Sequence, residues 1–281
     1  MPTTPSSTTA SPAGCSPPEQ RSCAIHQPNY FPRLATLAKL FSAACWIVLD
    51  DVQFTRRDYQ HRARLPQLHR PDLTQWLSLS VHLPHGRDTL IRDVTISDPD
   101  LCRRRTQQML GERYRRAAHW ADYEPILHQV LDLFHTTDSL ATIAEATTSG
   151  MLTALGWTGT TLHSSDFRTR ADRQDRRIDL ALAANATTYL YGRGGSKYAD
   201  VPAFARVGIT ARQHTTPTDD IWATKHAISG MHALMTSGAP AITAALRRHE
   251  ERIERQDAAT RQPAHGVFTP QRSGRQYGAS C

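Results

Sequence analysis

The apolar positions of this chain fall into runs that switch between strand and helix spacing. "SCAIHQPNYF", residues 22–31, opens as a short apolar strand that Pro28 stops. "LATLAKLFSAA" follows, with Leu34, Leu37, Ala38 and Phe41 at helical spacing. "CWIVLDDVQF", residues 45–54, is a continuous apolar run ending in acids, which predicts a strand buried on both faces. Strand, loop, helix and strand in that order make one βαβ unit.

Farther along, "TQWLSLSVHL" alternates like a strand and "TLIRDVTI" reads as a short one. From about 98 to 155 the pattern is mostly helical, through "DLCRRRTQQMLGERYRRA", "YEPILHQVLDLF" and "SLATIAEATTSGMLTAL". "GTTLHSSDF" is a strand leading into a polar loop, "RRIDLALAANA" a helix and "TTYLYG" a strand. "GRGGSKYAD" reads as a loop, "VPAFARVG" as a short helix and "ITARQHT" as a strand. "WATKHAISGMHALMTSG" and "APAITAALRRHEERIERQ" make a last helical region. Strands alternating with helices predict an α/β fold: a largely parallel sheet flanked by helices, with a helical insertion over about 98–155. Residues 1–21, rich in Pro, Ser and Thr, and residues 256–281 carry too few large apolar side chains to offset ordering entropy. They are expected to be disordered tails around a single domain spanning 22–255.

Composition adds limits. Of 281 residues, 39% are hydrophobic, enough for a packed core. The 33 basic residues exceed the 26 acidic ones, for a net charge of +7. That balance suits an anionic ligand such as a nucleotide or sugar nucleotide. Arginine-rich stretches such as "RRRTQQ" also read as solvated helix faces, so the charge alone does not imply nucleic acid. Five cysteines with no CxxC pair suit a reduced, cytoplasmic protein. The N-terminus has no basic and apolar signal pattern, and no apolar run approaches the roughly 20 residues of a membrane span.

Three polar clusters stand at the ends of strand-like runs, where open α/β sheets place ligands. The first is His26, Gln27, Asn29 and Tyr30, held between Pro28 and Pro32. A neutral imidazole at His26 suits acid–base chemistry or oxyanion stabilisation; a structural histidine bonding a loop carbonyl is the competing reading. Tyr30 serves equally as a packing aromatic. The second cluster is Asp50, Asp51 and Gln53, followed by Arg56, Arg57 and Arg62. Adjacent strand residues point to opposite faces, so both acids enter one pocket only if the strand has ended. One is expected at the rim, and pairing with the nearby arginines is the alternative. Arg57 and Arg62 offer planar forks for phosphate or carboxylate. The third cluster is "YGRGGSKY", with Gly194, Gly195, Ser196, Lys197 and Tyr198. It lacks the GxxxxGK[ST] spacing of a P-loop, though its backbone N–H groups suit an anion. No motif for a metal site stands out.

These stretches together resemble the WbqC-like protein family. "IHQPNYFP", "VLDDVQFTRRDYQHR", "WLSLSV", "YLYGRGGSKY" and "SGMHALMTSG" are similar to its motifs over roughly residues 23–240. The chain departs from the pattern at His61, where an asparagine is usual, at His232, where an acid is usual, and in "RLATL", which lacks the usual aromatics. The resemblance implies an enzyme of glycan or secondary-metabolite biosynthesis that transfers an acyl or aminoacyl group to an amine. On that reading His26 accepts the amine's proton, Asp50 or Asp51 orients it, and Gln27, Asn29, Tyr30, Gln53, Arg57, Arg62 and the glycine-rich loop hold substrate. The expected partners are a small-molecule substrate and an acyl or peptidyl carrier protein, with neither nucleic acid nor membrane. A distant similarity to nucleotidyltransferase-like folds supplies an alternative, an adenylate-forming enzyme using ATP and Mg²⁺. A third reading is a non-catalytic binder of a carrier protein or nucleotide sugar.

Overall fold

The computed structural model describes residues 21–195, 199–218 and 220–261. β1 (Ser22–His26), α1 (Leu34–Phe41) and β2 (Cys45–Val48) form the expected βαβ unit. The two strands pair in parallel, with Cys23 opposite Cys45 and His26 opposite Val48. Every residue of β2 is buried, so this run shows no alternation.

A long excursion separates β2 from the next strand of the same sheet. β3 (Arg62–Gln67) and β4 (Arg70–Ser78) make an antiparallel hairpin, and β5 (Val81–His82) pairs with β6 (Thr95–Ile96). Three helices follow: α2 (Pro99–Tyr114), α3 (Trp120–Leu133) and α4 (Leu140–Ala154). The side chains of Asp98 and Ser139 accept backbone N–H groups from Leu101 and Thr142, so both helix starts are capped by the residue types the sequence supplies there. The chain then completes the sheet with β7 (Thr160–His163), α5 (Arg173–Ala183), β8 (Thr188–Tyr191), α6 (Val201–Arg206) and β9 (Thr210–Gln213). α7 (Met231–Arg261) closes the described chain and is broken at Gly238.

The five-stranded sheet is parallel throughout, in the order β7-β2-β1-β8-β9. The chain therefore winds outward from β1 through β2 to β7, then returns to the other side of β1 with β8. Such a reversal leaves a crevice above the carboxyl ends of the two strands where the winding changes direction, here β1 and β8. Two separate cores cover the sheet. Ala24, Trp46 and Val48 join residues of α1, α4 and α7 on one face. Cys23, Ile25, Cys45 and Ile47 join Ile178, Leu180, Ala203 and Phe204 of α5 and α6 on the other. The alternation along β1 thus puts His26 on the α1 face.

Three stretches differ from their sequence reading, each because tertiary bonds claim the backbone. "TLIRDVTI" is a strand only at Thr95–Ile96. Ile91 and Arg92 instead donate to the carbonyls of Val52 and Asp50, holding a 3-10 turn over Ile91–Asp93. "TQWLSLSVHL" divides into β4 and β5. "WATKHAIS" forms turns ahead of α7 rather than helix, because Ser229 and Gly230 donate to Arg64 and Pro32. Among the described residues, no helix is long and apolar enough to cross a membrane.

Candidate functional site

A cavity of about 1440 Å³ opens at the switch point between β1 and β8. Its floor is the end of β1 (Ile25, His26, Gln27) and the end of β8 (Tyr189, Tyr191, Gly192). One wall is α1 with Arg33, Thr36 and Lys39, and the opposite wall is the start of α5 with Arg173, Arg176 and Arg177. The segment after β9 adds His214 and Thr215, and the approach to α7 adds Lys225 and His226.

His26 Nε2 lies 3.1 Å from Asn29 Oδ1, while the Asn29 amide nitrogen donates to the Pro28 carbonyl at 3.2 Å. An amide oxygen only accepts, so Nε2 carries the ring proton and Nδ1 presents its lone pair. Lys39 Nζ stands 3.4 Å from that lone pair and donates to the Ile25 carbonyl at 3.1 Å. Burial, helped by the nearby Lys39 and Arg33 charges, pushes His26 well below the ordinary histidine value, against the opposing bond from Asn29. The imidazole is therefore neutral near pH 7. Lys39 is only 6% exposed. Burial pulls its amine down to about 8, with a weak opposing contribution from Cys23. Among the described residues no carboxylate pairs with it, and its stem passes beneath Gly192 at the end of β8. The helical pattern of "LATLAKLF" gave no sign of this inward lysine. Its signal was position: the last turn of the helix that follows the first strand.

Asp50 and Asp51 lie past the end of β2, and both turn to the short helical turn Ser164–Asp166 after β7. Asp50 is buried; it accepts from Ser165 N at 3.1 Å, from Ser165 Oγ at 2.7 Å and from Ser164 Oγ at 3.0 Å. Asp51 contacts Ser164 Oγ and forms an ion pair with Arg176. Neither carboxylate lines the cavity, so neither orients His26 directly. The physical reason is that β7 lies beside β2 and offers two hydroxyls and a backbone N–H within reach. Asp51 still bears on the cavity, through the arginine it holds.

Of the other residues singled out in the sequence, Gln27, Gln53, Gly194 and Gly195 line the cavity. Gln27 accepts from the buried Gln60 at 2.9 Å, and Gln53 donates to the Arg87 carbonyl. Tyr30 does not reach it: its side chain is fully buried and its hydroxyl lies 2.5 Å from Thr106 Oγ1. Asn29 is buried too and touches the cavity only through His26. Arg62 is turned into the hairpin, donating to the Asp58 and Arg57 carbonyls and stacking over Trp76 at 4.4 Å. Arg57 is exposed and outside the lining. Ser196, Lys197 and Tyr198 lie outside the described residues. The cationic side chains the sequence reading missed are Lys39, Arg33, Lys225 and the arginines of α5. Arg173, Arg176 and Arg177 look like a solvated helix face in one dimension, and only the crossover from β7 to β8 turns them to the crevice.

The model of the WbqC-like protein family matches residues 27–225, which takes in the cavity from Gln27 to Lys225. The chain belongs to this family. His26 stands immediately before the matched segment. The chain is also similar to the uncharacterized protein Rv1507c of Mycobacterium tuberculosis, 26% identical over 187 residues, covering 66% of this chain and 78% of that protein. No solved structure matches this WbqC-like chain.

Proposed function

We propose that this WbqC-like protein is a biosynthetic transferase that moves an acyl or aminoacyl group from an activated small-molecule or carrier-bound donor to an amine. The observation that supports the reading best is the neutral His26, with its tautomer held by Asn29 and its Nδ1 lone pair beside the Lys39 amine, at the floor of the switch-point cavity. A neutral imidazole near pH 7 is the ordinary proton acceptor for an attacking amine. In this scheme the amine nitrogen attacks the acyl carbon, the carbonyl oxygen gains negative charge, and His26 Nδ1 takes the amine proton. Lys39, when protonated, stabilises the oxyanion. The carbon–donor bond then breaks, and His26 returns the proton to the leaving group.

Acyl thioesters and aminoacyl adenylates, offered pairwise with amino sugars and amino acids and followed by mass spectrometry, test the scheme. An acylated amine is expected, with the rate in His26→Gln down by roughly 100-fold or more. Wild-type rates in that variant would sink the assignment. The basic lining also favours a second reading, adenylate formation with ATP and Mg²⁺. Release of pyrophosphate from ATP, dependent on an added acid, is its signature; the transfer scheme releases none from ATP.

A further inference from the structure

We propose that the switch-point cavity is built for a donor carrying a diphosphate, with one phosphate on the Lys39 side and the other on the α5 side. The inference rests on the transferase reading and names its substrate class.

Charge is the first observation. Arg33, Lys39 and Lys225 approach from the α1 side; Arg173, Arg176 and Arg177 approach from α5. Arg193, on the loop after β8, also lines the cavity and adds its charge near His226. Asp58 is the one carboxylate among the described residues of the lining. Seven cationic side chains against one carboxylate, spread over both walls, suit a ligand with more than one negative charge.

The second observation is Lys39. A buried ammonium is costly unless something opposes its charge, and its two hydrogen-bond partners, the Ile25 carbonyl and His26, are both neutral. It stands at the point where the strand winding reverses, which is where nucleotide phosphates sit in doubly wound sheets. Arg33 is held in place from behind, stacked over Tyr59 at 4.2 Å and donating to the His226 carbonyl. Arg176 is held by Asp51. Such pre-positioned cations lose little freedom on binding.

The third is size and lining. At about 1440 Å³ the cavity exceeds the roughly 300–1,000 Å³ usual for small ligands, so a phosphate alone does not fill it. Tyr189 and Tyr191 add aromatic surface for the organic part of such a donor.

Calorimetric titration of the full chain with inorganic pyrophosphate and, separately, inorganic phosphate, at low salt and without added metal, decides the matter. Pyrophosphate is expected to bind at least about tenfold more tightly than phosphate. Lys39→Met should weaken pyrophosphate binding by about tenfold or more. Arg173→Gln, an exposed change at the start of α5, should weaken it severalfold in a chain whose melting curve shows it folded, so the test survives poor folding of the first variant. Equal affinity for the two anions overturns the proposal, as does wild-type pyrophosphate binding in Arg173→Gln or in a Lys39→Met chain shown to be folded. Tight binding of an acylated carrier protein with no preference for pyrophosphate also overturns it, because a carrier's prosthetic arm presents a single phosphodiester. Pyrophosphate binding as described, with no acylated amine from any donor, would retire the transfer scheme and leave the diphosphate site standing.

Discussion

Tyr30 carries its hydroxyl away from the cavity, into a bond with Thr106, which itself donates to the Cys102 carbonyl at 2.7 Å. Burial pushes the phenol well above its ordinary value, so it stays neutral in any workable buffer. Tyr30→Phe should cost about 1 kcal/mol, the net worth of one buried hydrogen bond. Pyrophosphate affinity should stay within about twofold of wild type. A tenfold loss of affinity, measured by the same titration, would return Tyr30 to the site. The contrast with Lys39 shows what single residues reveal. Polar groups beside a proline-bounded strand end, such as His26 and Gln27, announce themselves because nothing in packing requires them there. Tyr30 stands in the same run, yet its ring packs edge-on against Phe31 in the core. Lys39 hides because a lysine on an amphipathic helix is normally solvent-facing, and only the third dimension shows that the face it occupies is covered by the end of β8.

At the scale of elements, α7 shows how local chemistry sets a boundary. Gly238 has φ 77° and ψ 158°, a region that only glycine occupies without strain, and Pro240 starts the second half of the helix. An added Cβ would lie 2.6 Å from the His119 ring. Gly238→Ala is therefore expected to destabilise the protein by about 2 kcal/mol, between backbone strain and the clash. For a domain of this size that lowers the melting temperature by roughly 4–8 °C. An unchanged thermal midpoint would mean that the kink is not required. The two halves meet at "TSGAP", but the sequence reading joined them in one helical region, whereas the βαβ start was legible in the shift from an apolar run to helical spacing. The strand reading of "TLIRDVTI" and the helix reading of "WATKHAIS" failed for a common reason. Their backbone groups bond to partners far away in sequence, Asp50 and Val52 in one case and Pro32 and Arg64 in the other, which no local pattern records. The arginines of α5 belong with them: their spacing was visible, but the wall they form exists only because that helix crosses over to β8.

For the whole molecule, the doubly wound sheet gathers charge at one end and encloses several histidines. The parallel sheet followed from the alternation of strands and helices; the order that places β8 beside β1, and so creates the crevice, did not. Packing around that crevice has a consequence for acid stability. His214, in the segment after β9, touches Ser42 and faces Lys39 of α1, His249 of α7 and Arg212 of β9. Burial first, and then these positive neighbours, bring it down to about 3. His61 is lowered to about 4, mainly by burial, and burial lowers His26, His232 and His249 as well. In the unfolded chain each takes up a proton near its ordinary value of 6.5, before the folded state does. The stability tied to these groups is thus complete above pH 6.5 and is lost as pH falls toward the folded values. For His214 alone the loss is on the order of 1 kcal/mol per pH unit inside that window. His163 works the other way: burial lowers it, but the bond to Glu145 and the charges of Glu145, Asp50 and Asp166 together outweigh that and raise it, so its contribution is present below 6.5 and fades as pH rises through the raised value. At 40% exposure His163 is screened by solvent and weighs little against the buried set. The melting temperature should therefore hold steady near neutral pH and fall steeply between pH 6.5 and 4.5. His214→Gln, which keeps a hydrogen-bonding group near Ser42 but cannot take up the proton, should make that fall shallower even if it lowers the neutral-pH midpoint. Parallel melting curves for wild type and the variant across that range would show that buried histidines do not set the acid limit of the fold.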